Sequence, residues 1–188
     1  PSAKQLHDFI KTHAPKSEVV IHQTWAYRVD DPRFSPGEKK EGEPKTRLEM
    51  YEGLSKAYAI IAKELGVRRI PTGDAFNLAD SDPNWGYKKD ADFDFKTAKQ
   101  PALPNQTHSL HVGWRWVKGT DGKEKLTMDG HHANASGEYL GACVFYEFLY
   151  GRSVVGNSFV PPGVTKEDAR YLQETAHKAI ANAGQEKR

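Results

Sequence analysis

Sulfur is scarce in this chain. A single cysteine, Cys143, excludes an internal disulfide and any zinc site built from several cysteines. Long apolar runs are missing too. None approaches the roughly 20 residues that a membrane-spanning helix needs, so no membrane span is expected. Neither sign of charge is in excess: 27 Lys and Arg stand against 25 Asp and Glu, a net charge of +2. The basic residues form no stripe, so nucleic acid is not an implied partner. There is no internal repeat and no low-complexity tract. The sequence opens on Pro1, with no initiator Met and no signal peptide. It reads as a processed or truncated part of a longer protein.

What remains is enough for one domain with a real core. Hydrophobic residues make up 37% and charged residues 28% of the 188, which suits a globular protein with long polar loops. The segment SAKQLHDFIKTHAP places Leu6, Phe9 and Ile10 at helical spacing before Pro15 stops it. The β-branched run Val19-Val20-Ile21 predicts a strand buried on both faces of a parallel sheet. Residues 28–46 are charged, hold three prolines and read as a loop. From Arg47 a long amphipathic helix follows, with Leu48, Tyr51, Leu54, Tyr58, Ile61 and Leu65 on one stripe and Gly66 as its cap. VRRIPTGDAF predicts a second short strand that breaks at Pro71. This order of helix, strand, loop, helix and strand argues for an α/β sheet with crossover helices.

Residues 79–106 are rich in Asp, Lys, Pro and Asn and read as a surface insertion. The alternation in SLHVGWRWV, the KGTDGK turn and the return EKLTMD predict a β-hairpin from Ser109 to Met128. A helix carrying Leu140, Val144 and Phe148 ends at Gly151, and a last helix begins at a Thr165/Asp168 capping box. Two central strands are few for four helices. Strands missing from the N-terminal side would account for the shortage.

The chemistry concentrates in TMDGHHANASGEYLGACVFYEFLYG, residues 127–151. Asp129 and His132 are three residues apart, on what reads as a tight turn that Gly130 permits, and Asn134 or Ser136 caps a helix starting near Gly137. Such a turn brings a carboxylate against an imidazole. That is the orienter-and-base half of a hydrolytic triad. Alone, D-x-x-H is common by chance, and its bland reading is an Asp that turns the chain and a His bonded to a backbone carbonyl. His131 reads as a packing or surface neighbour.

The block DGHHANASGEYLGACVFYEFLYG resembles the final conserved block of the SGNH (GDSL-type) ester hydrolases, where Asp and His precede a helix in a D-x-x-H-x-N-x-x-G frame. PKSEVVIHQTWAYR and LGVRRIPTGDAF resemble late strands of that fold. HQTWAY, PTGDA and DGHH…GEYLGAC resemble a bacterial subgroup of mostly unassigned function. The resemblance implies that residues 1–188 are the C-terminal part of a single SGNH-hydrolase-like domain. It implies a three-layer α/β/α, flavodoxin-like fold with an added β-hairpin, lacking its N-terminal strands here. It also implies that Asp129 orients His132 as general base, that no cofactor is needed, and that the protein is periplasmic or secreted.

The family's nucleophilic serine, and the Gly and Asn of its oxyanion hole, have no counterpart before Val19. They are expected in a missing N-terminal segment of the same protein, which thereby becomes a partner of this chain. An internal rival is Ser158 in GNSF, as in a permuted domain, but two prolines follow where the family starts a helix.

The substrate expected is a small-molecule or carbohydrate ester, with an acetyl group on a sugar as one candidate. Trp25 and Tyr27 follow the first strand at the carboxyl edge, where open α/β sheets bind ligands, and His22 and Gln23 share that edge. These four are the expected substrate-binding residues. Trp114 and Trp116 fit core packing at least as well as a binding floor. His108, His111, Asp129, His131 and His132 suggest a metal-dependent hydrolase only weakly, because i and i+3 on a strand face opposite ways. Cys143 reads as a small core residue. The main alternative is a glycan- or ligand-binding module that kept the fold and lost the chemistry.

Overall fold

A computed structural model describes residues 2–37 and 40–185. The chain is mixed α/β. In order it forms α1 (Ser2–His13), β1 (Val20–His22), a short 3-10 turn (Pro32–Phe34), α2 (Arg47–Leu65), β2 (Arg68–Ile70), α3 (Thr72–Asp80), β3 (His111–Lys118), β4 (Glu124–Ala133), α4 (Ala135–Tyr150) and α5 (Lys166–Gln185). Strands β1 and β2 pair in parallel, Val20 opposite Arg68 and His22 opposite Ile70. Strands β3 and β4 form a separate antiparallel pair joined by residues 119–123.

Local signals account for most of these elements. The Thr46 hydroxyl accepts the Glu49 N–H at the start of α2, and Gly66 closes the helix in the left-handed region at φ +65°. The apolar stripe of α2 is only half-buried. Thr165 and Asp168 make reciprocal capping bonds at the start of α5: the Asp168 N–H donates to Thr165 Oγ1, and the Thr165 hydroxyl donates to Asp168 Oδ2.

The structure corrects several expectations. The first strand begins at Val20, and it is not buried on both faces: Val20 and Ile21 are half-buried and His22 is exposed. Among the described residues its only strand neighbour is β2. Directly after Pro71 the chain forms α3, which the sequence reading did not predict. Its Ala75, Phe76 and Ala79 are fully buried, so tertiary packing and not helix-start chemistry selects it. Residues 79–106 are more than a surface insertion, because Trp85 and Tyr87 within them are buried. The Trp85 indole N–H donates to Asp168 on α5, and its ring stacks on Tyr171.

The main core lies among α3, α4 and α5, built from Phe76, Leu140, Val144, Leu172 and Ala176. Cys143 belongs to it, and burial pushes its thiol up to about 11. Helix α4 starts at Ala135, two residues before the expected point. Asn134 caps it by accepting the N–H groups of Ser136 and Gly137 at 3.0 and 3.1 Å.

Candidate active site

The four residues Asp129 to His132 are not a turn leading into a helix. They lie in β4, which runs on to Ala133. The ladder is irregular at this point. His111 pairs with Ala133 and Gly113 with Asp129, so one residue of β3 faces three of β4. This is an enlarged β-bulge, a device that re-aims side chains. In a regular strand His131 and His132 would point to opposite faces. Here their ring centroids are 6.4 Å apart.

Gly130 serves closeness and not a turn. A side chain there would meet Asp31 Oδ2 at 2.5 Å and Met128 Cε at 3.1 Å. Opposite the bulge, Gly113 adopts φ +73°, and a Cβ would collide with the Arg28 guanidinium and the Gln106 amide.

Within the bulge Asp129 and His132 meet. His132 Nδ1 lies 3.0 Å from Asp129 Oδ1 and 3.1 Å from Oδ2. An ionised carboxylate only accepts, so Nδ1 carries a proton, and in the neutral ring the lone pair is on Nε2. The Asp129 carboxylate also accepts the backbone N–H of His132 at 3.1 Å and, more loosely, that of His131 at 3.4 Å, with Arg115 Nη2 at 3.4 Å. Burial by itself would raise the Asp129 pKa. The N–H donors of His132 and His131 outweigh it, and the carboxyl is held below its ordinary value. The His132 side chain is 79% exposed and that of Asp129 16%. Among the described residues no hydrogen bond occupies His132 Nε2.

The other expected site residues divide. Gln23 is fully buried. Its amide donates to Asp74 Oδ1 at 2.7 Å and accepts the Asp74 N–H, so it locks β1 to the start of α3 and faces no ligand. His22 is exposed, edge-on to Phe145 at 4.9 Å, and partial burial lowers its pKa. Trp25 stacks on Phe76 with centroids 4.5 Å apart and gives its indole N–H to the His131 carbonyl at 2.9 Å. Tyr27 stacks on the His131 ring at 4.0 Å, with the Arg33 guanidinium over it at 4.9 Å. Trp25 and Tyr27 do adjoin the site, but their rings support the bulge.

The sequence does not single out Asp31, and it reads His131 as a packing or surface neighbour. His131 Nε2 lies 3.0 Å from Asp31 Oδ2, whose side chain is 2% exposed.

The chain matches no family model and no curated protein. One solved structure shares its fold. It is a DUF4886 family protein from Bacteroides uniformis, similar at a TM-score of 0.62 and 21% sequence identity. The likeness covers 96% of this chain and 56% of that one, so this chain spans little more than half the length of that relative.

The remaining polar candidates lie apart from this arrangement. Ser158 is exposed in the α4–α5 connection and makes no hydrogen bond to Asp129 or His132. His108, at φ +60°, stacks on Trp85. His111 is fully buried, with Nε2 on the Ala26 carbonyl at 3.1 Å and Nδ1 without a hydrogen-bond partner. Among the described residues no three His, Cys, Asp or Glu side chains are grouped to hold a metal ion.

Proposed function

We propose that this chain carries the acid–base half of an SGNH-type serine ester hydrolase, on a three-layer α/β/α, flavodoxin-like domain. The nucleophilic serine and the oxyanion donors come from residues beyond these 188. The serine oxygen attacks the ester carbonyl while His132 Nε2 takes its proton. Asp129 holds the ring and stabilises the imidazolium. His132 then protonates the departing alcohol, and water releases the acyl group by the reverse path. The substrate class is a small ester, with an O-acetylated carbohydrate as the leading candidate, and the setting is periplasmic or secreted.

One observation carries this reading. A carboxylate brackets His132 Nδ1, while Nε2, on a side chain 79% exposed, has no hydrogen-bond partner among the described residues. The ring is held from one side and open on the other, the arrangement a general base needs. The resemblance of the surrounding block to the SGNH family supports the same assignment.

Hydrolysis of p-nitrophenyl acetate by the full-length protein tests it. His132→Ala is expected to lower kcat by roughly 10²–10⁴-fold. Asp129→Asn should fall toward the lower end of activity as well, because the amide favours the wrong tautomer. Equal rates in wild type and His132→Ala would remove the catalytic assignment. Absence of turnover in the wild type, with retained binding of a glycan, would favour a binding module.

A further inference from the structure

The motif DGHH takes part in two Asp–His pairs and not one, the second with an Asp from outside the motif. Asp129 serves His132, and Asp31 serves His131 from the segment that follows β1. The two acceptors differ in setting. The Asp31 side chain is nearly sealed, and it also accepts the Arg33 N–H at 2.9 Å. Gly130 lies between the pairs, and any side chain there would strike Asp31.

The bulge leaves β4 short of ladder partners over 130–132, and buried backbone groups must be satisfied elsewhere. Residues 25–31 supply the replacements. The Arg28 N–H donates to the Gly130 carbonyl at 3.0 Å, and the Trp25 indole to the His131 carbonyl at 2.9 Å. The His131 ring then adds its bond to Asp31 and its stack on Tyr27. His131 is thus tied down through its carbonyl, its ring nitrogen and its ring face. Its own N–H reaches toward Asp129 Oδ1. Residue 132, immediately next, has a mostly exposed side chain that, among the described residues, hydrogen-bonds only to Asp129.

We infer that His131 is a positioning residue for the Asp129–His132 pair: anchored on Asp31, Tyr27 and Trp25, it holds the bulge in the shape that keeps His132 Nδ1 against Asp129. This rests on the hydrolase reading for its effect on turnover, but the geometry it describes is measurable without any substrate. An exposed histidine free of Asp129 reverts toward the Nε2–H tautomer that imidazole side chains favour in water. With the bulge intact, the Nδ1–H tautomer dominates.

The test uses the full-length protein and two readouts: the ring-nitrogen NMR shifts of His132 in its neutral form, which separate the tautomers, and kcat against KM for p-nitrophenyl acetate. His131→Ala is expected to shift His132 toward Nε2–H and to lower kcat about ten-fold or more, with KM changed less than about two-fold. His131→Gln can place an amide N–H where Nε2 stood, and should recover most of both signals. Tyr27→Leu removes the stack, together with the Arg33 contacts to the ring and hydroxyl, but leaves the Asp31 bond, and should give a smaller shift in the same direction; with His131→Gln it decides the matter if His131→Ala does not fold. An unchanged tautomer in His131→Ala, a loss confined to KM, or a Gln variant no better than Ala would each overturn the inference. If the wild type hydrolyses no ester, the hydrolase reading fails while the tautomer shift still supports or sinks the positioning role.

Discussion

Two sides of this molecule are held together by different physics. Around α3, α4 and α5 the contacts are apolar: Phe76, Leu140, Val144 and Leu172 are each 1% exposed or less. Under the β3–β4 pair the buried groups are polar. Arg28 is 1% exposed; it grips Asp30 at 2.7 and 3.1 Å, Gln106 at 2.7 Å and Ser109 at 3.1 Å, and lies over the Tyr87 ring at 4.3 Å. Asp30 also accepts from Tyr87 and Trp114. Apolar burial is non-directional and tolerates some repacking. A buried polar network fixes angles and distances, and it fails badly when one member is lost. The candidate site lies on the polar side, where geometry matters most.

The sharpest way to break this contrast is Arg28→Ala. It strands Asp30 without its counter-ion and should cost about 3–5 kcal/mol in chemical denaturation. Because Arg28 also holds the strip beneath the bulge, the residual folded protein should lose the proposed esterase activity as well. Leu140→Ala should cost about 2–5 kcal/mol from the cavity it leaves, with kcat of the folded fraction unchanged. If Leu140→Ala lowered kcat as much as Arg28→Ala, the division into a packing side and a site side would be wrong.

A pH series sharpens it further. Burial pushes the His111 imidazole from the ordinary 6.5 down to about 4. As pH falls through about 6.5 the unfolded chain takes up this proton and the folded chain does not, so stability drops until about pH 4. The contribution reaches roughly 3 kcal/mol at the bottom of that window. Asp80 works against it. Burial pushes its carboxyl up to about 6, so it adds stability as pH falls from there toward 3.8. The His111 share is therefore read as wild type minus His111→Gln in urea titrations from pH 7 downward. A difference that does not vary with pH would refute it.

The smallest effect expected is at the seam of the two sides. Asn134 caps α4, and its amide also donates to the carbonyls of Ser109 and His111 at 2.6 and 3.0 Å. Asn134→Ala should cost between about 1 and 2 kcal/mol in thermal or urea unfolding. A cost near zero would mean that the seam is held by packing alone.

How much of this could be read in advance depends on distance along the chain. The stripe and cap of α2, the strand before Pro71, the Asn134 cap and the Thr165 box follow from neighbours three or four residues apart. The Asp129–His132 contact was legible for the same reason. Helix α3 was missed because TGDAFNLAD has no local start signal and depends on packing between α4 and α5. The sequence reading misplaced Gln23 because a glutamine after a strand looks like an edge residue until its partner Asp74 is known. Asp31 drew no attention: it sits in a charged, proline-rich stretch far from His131.

The amino-acid order by itself settled the local pieces: where most helices begin and stop, and that one carboxylate can meet one imidazole three residues on. The tertiary structure decided what those pieces rest on. A bulge that brings the rings of two adjacent histidines within 6.4 Å, a glycine emptied to admit Asp31, and a buried arginine beneath them depend on contacts between segments about a hundred residues apart. Such contacts exist only after the chain has closed its long loops, and no local spacing encodes them.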